Sequence, residues 1–269
     1  MIDYSTVWDD RTVAARSSRP AGYDRRLSER TLSIVAPAFN EERRIRALLE
    51  RVAEAGDAVA AAAGLRLQEL IVVDDGSTDG TAAALAAFDG LEGRLRIITF
   101  PRNRGKGAAV RAGMLAANGG RALMTDVDLS TPLEELPALS TALDEGADVA
   151  LGSRGLPESQ VAVHQAAYRE LMGRTFNTLL RVLTGLPYRD TQCGFKLFRL
   201  SRARDVFAQQ RIEGFAFDAE ICVLARRAGL EIAEIPVRWV NDPDTHVRLV
   251  SSSARMAFDL LRIAWLARR

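Results

Sequence analysis

Five short apolar runs alternate with helical patterns between residues 32 and 152, and this rhythm limits the fold more than any other feature of the sequence. Residues 32–38, 70–73, 96–100, 122–125 and 149–152 are near-continuous apolar stretches, too short for helices, and read as buried strands. The intervening segments read as helices. The first runs from an Asn40 cap, with Glu41 and Glu42 in its first turn, to about Ala63. The second runs from Thr78 or Asp79 to about Phe88, and the third from Lys106 to Ala117. The fourth starts at Pro132, a residue well tolerated at a helix start, and reaches about Glu145. Strand–helix alternation at this spacing predicts an α/β fold with a mostly parallel, doubly wound sheet. Ligands of such sheets bind outside the carboxyl ends of the strands. The first, second and fourth strands end in Pro37–Asn40, Asp74-Asp75 and Asp126–Asp128, so polar residues gather where the fold binds ligands.

After Arg154 the rhythm breaks. Residues 161–184 have a helical pattern with Arg169, Arg174 and Arg181 among apolar positions. A polar run from Asp190 to Lys196 follows, then a helix at 217–228, a strand at 231–239 and a tail. In the tail, Met256, Phe258, Leu260, Leu261, Ile263, Trp265 and Leu266 recur opposite Arg255, Asp259, Arg262 and Arg269. That stripe suits an interfacial amphipathic helix over 253–269. It suits equally a helix packed on the core or on a second copy of the chain in a homodimer. The expected organisation is a polar extension at 1–30, a single domain at 31–240, and a loop with the amphipathic helix at 241–269.

Composition serves mainly to exclude. A formal net charge of +1 gives no whole-chain field for nucleic acid. Cys193 and Cys222 are too few for a disulfide framework and lack metal-ligand spacing, which fits reduced, cytoplasmic thiols. The N-terminal residues hold no apolar core of a signal peptide, and no apolar run reaches the ~18 residues of a membrane span. A protein bound peripherally to the cytoplasmic membrane face is the expectation.

No G-x-G-x-x-G follows the first strand, and no P-loop occurs. A nucleotidyltransferase's Gly- and Arg-rich loop is also missing there. What stands at the strand ends is acid. Asp126 and Asp128 face one way if their strand continues. Carboxylates suit Mg2+ or Mn2+, which bind few protein ligands together with substrate phosphates. Asp74-Asp75, followed by Gly-Ser-Thr-Asp-Gly-Thr, reads both as turn chemistry and as a contact for a base or ribose. Of 36 basic residues only Lys106 and Lys196 are lysine, and both lie inside such motifs, where a compact ammonium differs from a planar guanidinium.

Ser33–Glu42, Val72–Thr81, Asn103–Gly107, Asp126–Pro132 and Gly152–Arg154, taken together, resemble family 2 glycosyltransferases of the Rossmann-like GT-A fold. Asp190–Phe198 and Phe217–Glu220 narrow the resemblance to the dolichyl/polyprenyl-phosphate β-glucosyltransferases, with dolichyl-phosphate mannose synthases as relatives. The resemblance covers about residues 31–240. It implies a nucleotide-sugar site of Pro37, Ala38, Asn40, Glu41, Asp75, Lys106, Asp126, Val127 and Asp128, with Asp126 and Asp128 holding the metal. It places Arg154, Asp190, Gln192 and Lys196 near sugar and acceptor. Mannose synthases carry Gln where this chain has Ser130, which favours the glucosyl branch, and His246 in a polar loop is a further candidate for the metal.

The implied reaction moves glucose from UDP-glucose to a polyprenyl phosphate, with GDP-mannose or another donor as the alternative. Two arrangements of the acceptor side are open. A hydroxyl acceptor needs a general base, for which Asp218 or Glu220 would serve. A polyprenyl monophosphate, with its second ionisation near pH ~6, needs positioning instead. Arg154, Arg169, Arg174 and Lys196 would then hold it, and Asp218 would orient. The catalytic set is therefore Asp128, Asp218, Lys196 and Arg154.

Overall fold

The computed structural model describes residues 29–162, 177–240 and 259–268. Its centre is a seven-stranded sheet in the order β3-β2-β1-β4-β7-β5-β8. The strands are β1 (Thr31–Ala38), β2 (Arg66–Asp74), β3 (Leu95–Thr99), β4 (Arg121–Met124), β5 (Val149–Ser153), β7 (Lys196–Arg199) and β8 (Ile232–Pro236). All run parallel except β7, which lies antiparallel between β4 and β5. A short parallel pair, β6 (Gln160–Val161) with β9 (Arg238–Trp239), stands apart from the main sheet.

Both faces of the sheet are covered, which is why the strands read as apolar runs without alternation. Successive side chains nevertheless part to opposite faces. Ile34, Ala36, Leu70, Val72 and Leu123 share one core with α1 (Ile45–Ala62) and α4 (Leu136–Asp144). Val35, Ile71, Val73 and Met124 share the other with α3 (Lys106–Ala116), α5 (Leu200–Gln209) and α6 (Phe217–Arg227). The helix between β2 and β3, α2 (Thr81–Ala86), is short, and Asp79 accepts from Thr81 N at its start (3.0 Å).

Three expectations are corrected. Asn40 does not cap a helix: it sits at φ 56°, its Oδ1 accepts from Thr78 N (2.8 Å), and α1 begins only at Ile45. Of the helical pattern expected at 161–184, residue 161 belongs to β6, 177–184 is helical as expected, and 163–176 lie outside the described residues. The strand expected at 231–239 is two strands in two sheets, β8 and β9. Neither β7 nor α5 was foreseen.

The described part of the tail, residues 259–267, is helical. It buries Leu260 and Ile263 in the α3/α6 core, and Arg227 Nη1 on α6 donates to Leu266 O (2.7 Å). Leu261 and Trp265 face outward at 65% and 54% exposure. The core-packing reading therefore holds for one stripe, while two large apolar side chains remain outside it. No helix among the described residues is long and apolar enough to cross a membrane.

Candidate active site

Two loops at the carboxyl edge of the sheet interlock. After β1, Asn40 N donates to Ser77 Oγ (2.9 Å) and Glu41 N to Thr81 Oγ1 (2.8 Å). Gly80 N in turn donates to Glu42 Oε2 (2.9 Å). Asp75 N closes on Ala38 O (2.8 Å). Pro37, Asn40 and Glu41 are half-buried along this seam, while Ala38 is buried. Asp75 is 2% exposed and accepts from Arg104 N (2.7 Å), Gly105 N (2.7 Å) and Asn103 Nδ2 (2.8 Å). Burial pushes its carboxyl up against the pull of those donors. Its first role is thus to fix the 103–105 loop that delivers Lys106.

The start of α3 is held from its other side. Gly107 N and Ala108 N both donate to Glu213 O (2.8 and 3.3 Å), so a carbonyl rather than a side chain caps this helix. A Cβ on Gly107 would press on Ile212 O, which leaves only glycine able to accept that approach. The 211–213 loop is itself anchored by buried Glu220, which accepts from Ile212 N (2.7 Å) and Arg211 N (3.0 Å). Glu220 is therefore engaged with backbone and unavailable as a base.

β4 ends at Met124, so Asp126 and Asp128 stand in a turn rather than on a continued strand. The turn closes through Leu129 N to Asp126 O (3.2 Å), with Leu129 at φ 49°, and through Ser130 N to Asp128 Oδ1 (2.9 Å). Both carboxylates remain half-buried, whereas Val127 between them turns its side chain into the core (4% exposed). Lys106 Nζ meets Asp126 Oδ1 at 2.6 Å. Burial works against the charge on Asp126, but Lys106, then Lys196 and Arg154, hold its carboxyl below the ordinary range. Asp128 goes the other way, pushed up by burial and by Asp126. The far side of Asp126 rests on Gly194, where any Cβ would collide with the carboxylate.

Lys196 points from β7 toward α6 and is fully enclosed. Its ammonium pairs with Asp218 and donates to Cys193 O (2.5 Å). Burial pushes Asp218 up, against Lys196 and Lys106. Arg154, at the end of β5, grips Asp190 with two nitrogens (Nε–Oδ2 2.6 Å, Nη2–Oδ1 3.0 Å) and lies 5.4 Å over the Trp239 ring. Gln192 N donates to Asp190 Oδ1 (3.0 Å). Asp126, Asp128, Asp190 and Asp218 thus face Lys106, Lys196 and Arg154.

Lys106, Asp126, Asp128, Arg154, Asp190, Lys196 and Asp218 form one connected group, joined through Gly105 to Asp75 and the seam between the loops after β1 and β2. Arg169, Arg174 and His246 lie outside the described residues, and Arg181 is exposed. The sequence reading missed the capping carbonyl of Glu213, the Cys193 carbonyl and the Trp239 face. The glycines at 105, 107 and 194 signalled close approach there without identifying what approaches.

The family described as Glycosyl transferase family 2 matches residues 33–207. Among curated proteins, the dolichyl-phosphate beta-glucosyltransferase of Drosophila melanogaster is 34% identical over 242 residues, covering 86% of this chain and 74% of that one. The Saccharomyces cerevisiae protein of the same description is 34% identical over 254 residues (87% and 75%), and the Homo sapiens one 32% over 240 (86% and 74%). Among solved structures, glucosyl-3-phosphoglycerate synthase from Mycobacterium tuberculosis with Mn2+ and UDP-glucose superposes with a TM-score of 0.63. It is 22% identical, with 92% of this chain and 84% of that one covered, and shares the GT-A fold.

Proposed function

The chain belongs to glycosyl transferase family 2, and from that premise we propose that it transfers glucose from UDP-glucose to a polyprenyl (dolichyl) monophosphate with inversion at C1. One observation carries the acceptor. Both carboxylates of α6 are engaged, Asp218 by Lys196 and Glu220 by the 211–212 backbone. A hydroxyl acceptor would need one of them as a base. A phosphate acceptor arrives already ionised and needs none.

The donor side suits a hard divalent cation. Asp126 and Asp128 offer carboxylate oxygens only, and the repulsion that pushes Asp128 up would be relieved by a cation between them. Among the described residues no cluster of three His, Cys, Asp or Glu side chains surrounds them, so the diphosphate and water would complete the coordination of Mg2+ or Mn2+. When bound, the ion supplies Lewis-acid stabilisation of charge on the departing diphosphate. Lys106 adds an ammonium beside that group. Arg154, whose Nη1 is outside its pair with Asp190, orients an acceptor phosphate oxygen towards C1. That oxygen forms the new bond as the nucleoside diphosphate leaves from the opposite face. Lys196, sealed in the core, acts by its field on Asp126 and Asp218 rather than by contact with the acceptor.

The acceptor's chain requires a membrane surface. Leu261 and Trp265, exposed beside Arg262 and Arg268, fit contact with an anionic cytoplasmic face. The deciding assay incubates purified protein with labelled UDP-glucose, Mn2+ and polyprenyl phosphate, with GDP-mannose in parallel. Chloroform-soluble glucolipid that disappears in Asp128→Ala is the expected outcome. Turnover of a hydroxyl acceptor with no glycolipid formed would overturn the reading, and no turnover by wild type would mark a binding protein.

A further inference from the structure

Three cations face the acids of this site, and Lys106 is held by the fewest contacts. Lys196 is fully enclosed between Asp218 and Cys193 O. Arg154 is fixed by two bonds to Asp190 and by the Trp239 face. Lys106 has one ion pair among the described residues, to Asp126, and its side chain keeps 21% exposure. Its backbone is fixed from both sides, since Asp75 holds Gly105 N and Glu213 O holds Gly107 N. Any adjustment therefore falls on the flexible stem of the side chain.

The position of that ammonium has a consequence for binding. At 2.6 Å it occupies Asp126 Oδ1, while the other side of the carboxylate rests on Gly194. A divalent cation on Asp126 and Asp128 would meet a like charge within a few ångströms, and Lys106 must swing away before Asp126 ligates it. A diphosphate arriving with the cation offers the ammonium a new anionic partner.

We propose that Lys106 is the exchangeable counter-ion of Asp126, so that it opposes cation binding alone and couples cation to donor diphosphate. The inference rests on the metal-and-donor reading above and adds its thermodynamics: Lys106 makes cation and nucleotide bind cooperatively. Such coupling is reciprocal, so the factor by which UDP tightens Mn2+ equals the factor by which Mn2+ tightens UDP.

Binding of Mn2+ to the full chain, read from the paramagnetic resonance signal of the free ion, tests this without reference to activity. Titrations with and without UDP would compare wild type, Lys106→Met, Lys106→Arg and Arg102→Gln, the last removing an exposed charge from the neighbouring turn. Lys106→Met should bind Mn2+ alone about tenfold more tightly than wild type, and UDP should then add far less. Arg102→Gln should stay within about twofold, and Lys106→Arg should keep Mn2+ alone weak. Unchanged or weaker Mn2+ binding by Lys106→Met overturns the proposal, as does equal tightening in Arg102→Gln, which would reveal only a general field. Absence of Mn2+ binding by every protein with UDP present would instead remove the metal reading itself. Circular dichroism on each variant separates these outcomes from misfolding.

Discussion

Replacing Lys196 by methionine keeps most of the side-chain volume and removes the ammonium that pairs with Asp218 inside the core. Asp218 is 3% exposed, so its carboxylate would lose its nearest counter-charge where water cannot substitute. Breaking a buried pair from one side costs about 3–5 kcal/mol. Protonation sets a ceiling on that cost. A carboxyl with an ordinary pKa of ~3.9 takes a proton at pH 7 for about 4 kcal/mol, and burial already pushes Asp218 upward, which lowers the figure. Cys193 O also loses its donor, worth about 1 kcal/mol. A loss near 4 kcal/mol at pH 7 follows. The sign of its pH dependence is fixed. Without Lys196 the folded state binds the Asp218 proton more tightly than the unfolded chain does, so the variant gains stability as pH falls. Urea unfolding should show the deficit shrinking by about 2 kcal/mol between pH 7 and pH 5. Lys196→Met with Asp218→Asn, which has no buried charge to strand, should recover more than half of the loss and keep kcat within about tenfold. A deficit below about 1 kcal/mol, or one independent of pH, would refute the buried-pair account. A fall in kcat of about 10²–10⁴ in the recovered double variant would instead reinstate Asp218 as a general base.

Glu220→Ala leaves Ile212 N and Arg211 N without their acceptor, at a cost of about 3 kcal/mol in urea unfolding. Because the released loop carries the carbonyl that caps α3, KM for the donor should rise more than kcat falls. Asp128 should limit activity on the acid side: burial and Asp126 push it up, so its cation-binding anion is lost as pH falls at values above the ~3.9 of a free aspartate. Mn2+ affinity measured against pH should show this, and a flat profile down to pH 4 would contradict it. Replacing exposed Leu261 and Trp265 together by serine should cut co-sedimentation with anionic vesicles at least about threefold and leave the fold intact, since neither side chain belongs to the core. Equal pelleting would assign the exposed stripe to something other than a membrane.

The layers of the fold were legible where burial on both faces imposes one pattern. β1 to β5 and the helices between them follow from apolar runs and turn residues, with boundaries displaced by up to a few residues. Asn40 was misread because the same short amide serves helix caps and left-handed turns, and only Thr78 across the seam decides between them. β7 escaped because a four-residue strand leading directly into α5 has no room for a period. In the site, the acids could be picked out by their place after strands. Their partners could not, because Asp126 meets Lys106, Asp190 meets Arg154 and Asp218 meets Lys196 only after distant segments pack. The glycine at 194 shows the same limit: its neighbour is Asp126, and nothing near it in sequence says so.

The two lysines in a chain of 34 arginines now have a geometric reason. At position 196 the enclosure offers one carboxylate and one carbonyl, which an ammonium with three protons nearly satisfies. A guanidinium with five N–H groups would bury several without acceptors there. At position 106 a single carboxylate oxygen is presented to a side chain that must both hold and release it, which favours a point charge on a flexible stem over a planar fork. Arg154 is the complementary case. Asp190 presents both oxygens side by side and Trp239 supplies a flat face, so the same site uses arginine where two parallel bonds and stacking are available. The choice between the two cations thus follows acceptor geometry. By that reasoning Lys196→Arg should be as damaging to the fold as Lys196→Met although it keeps the charge.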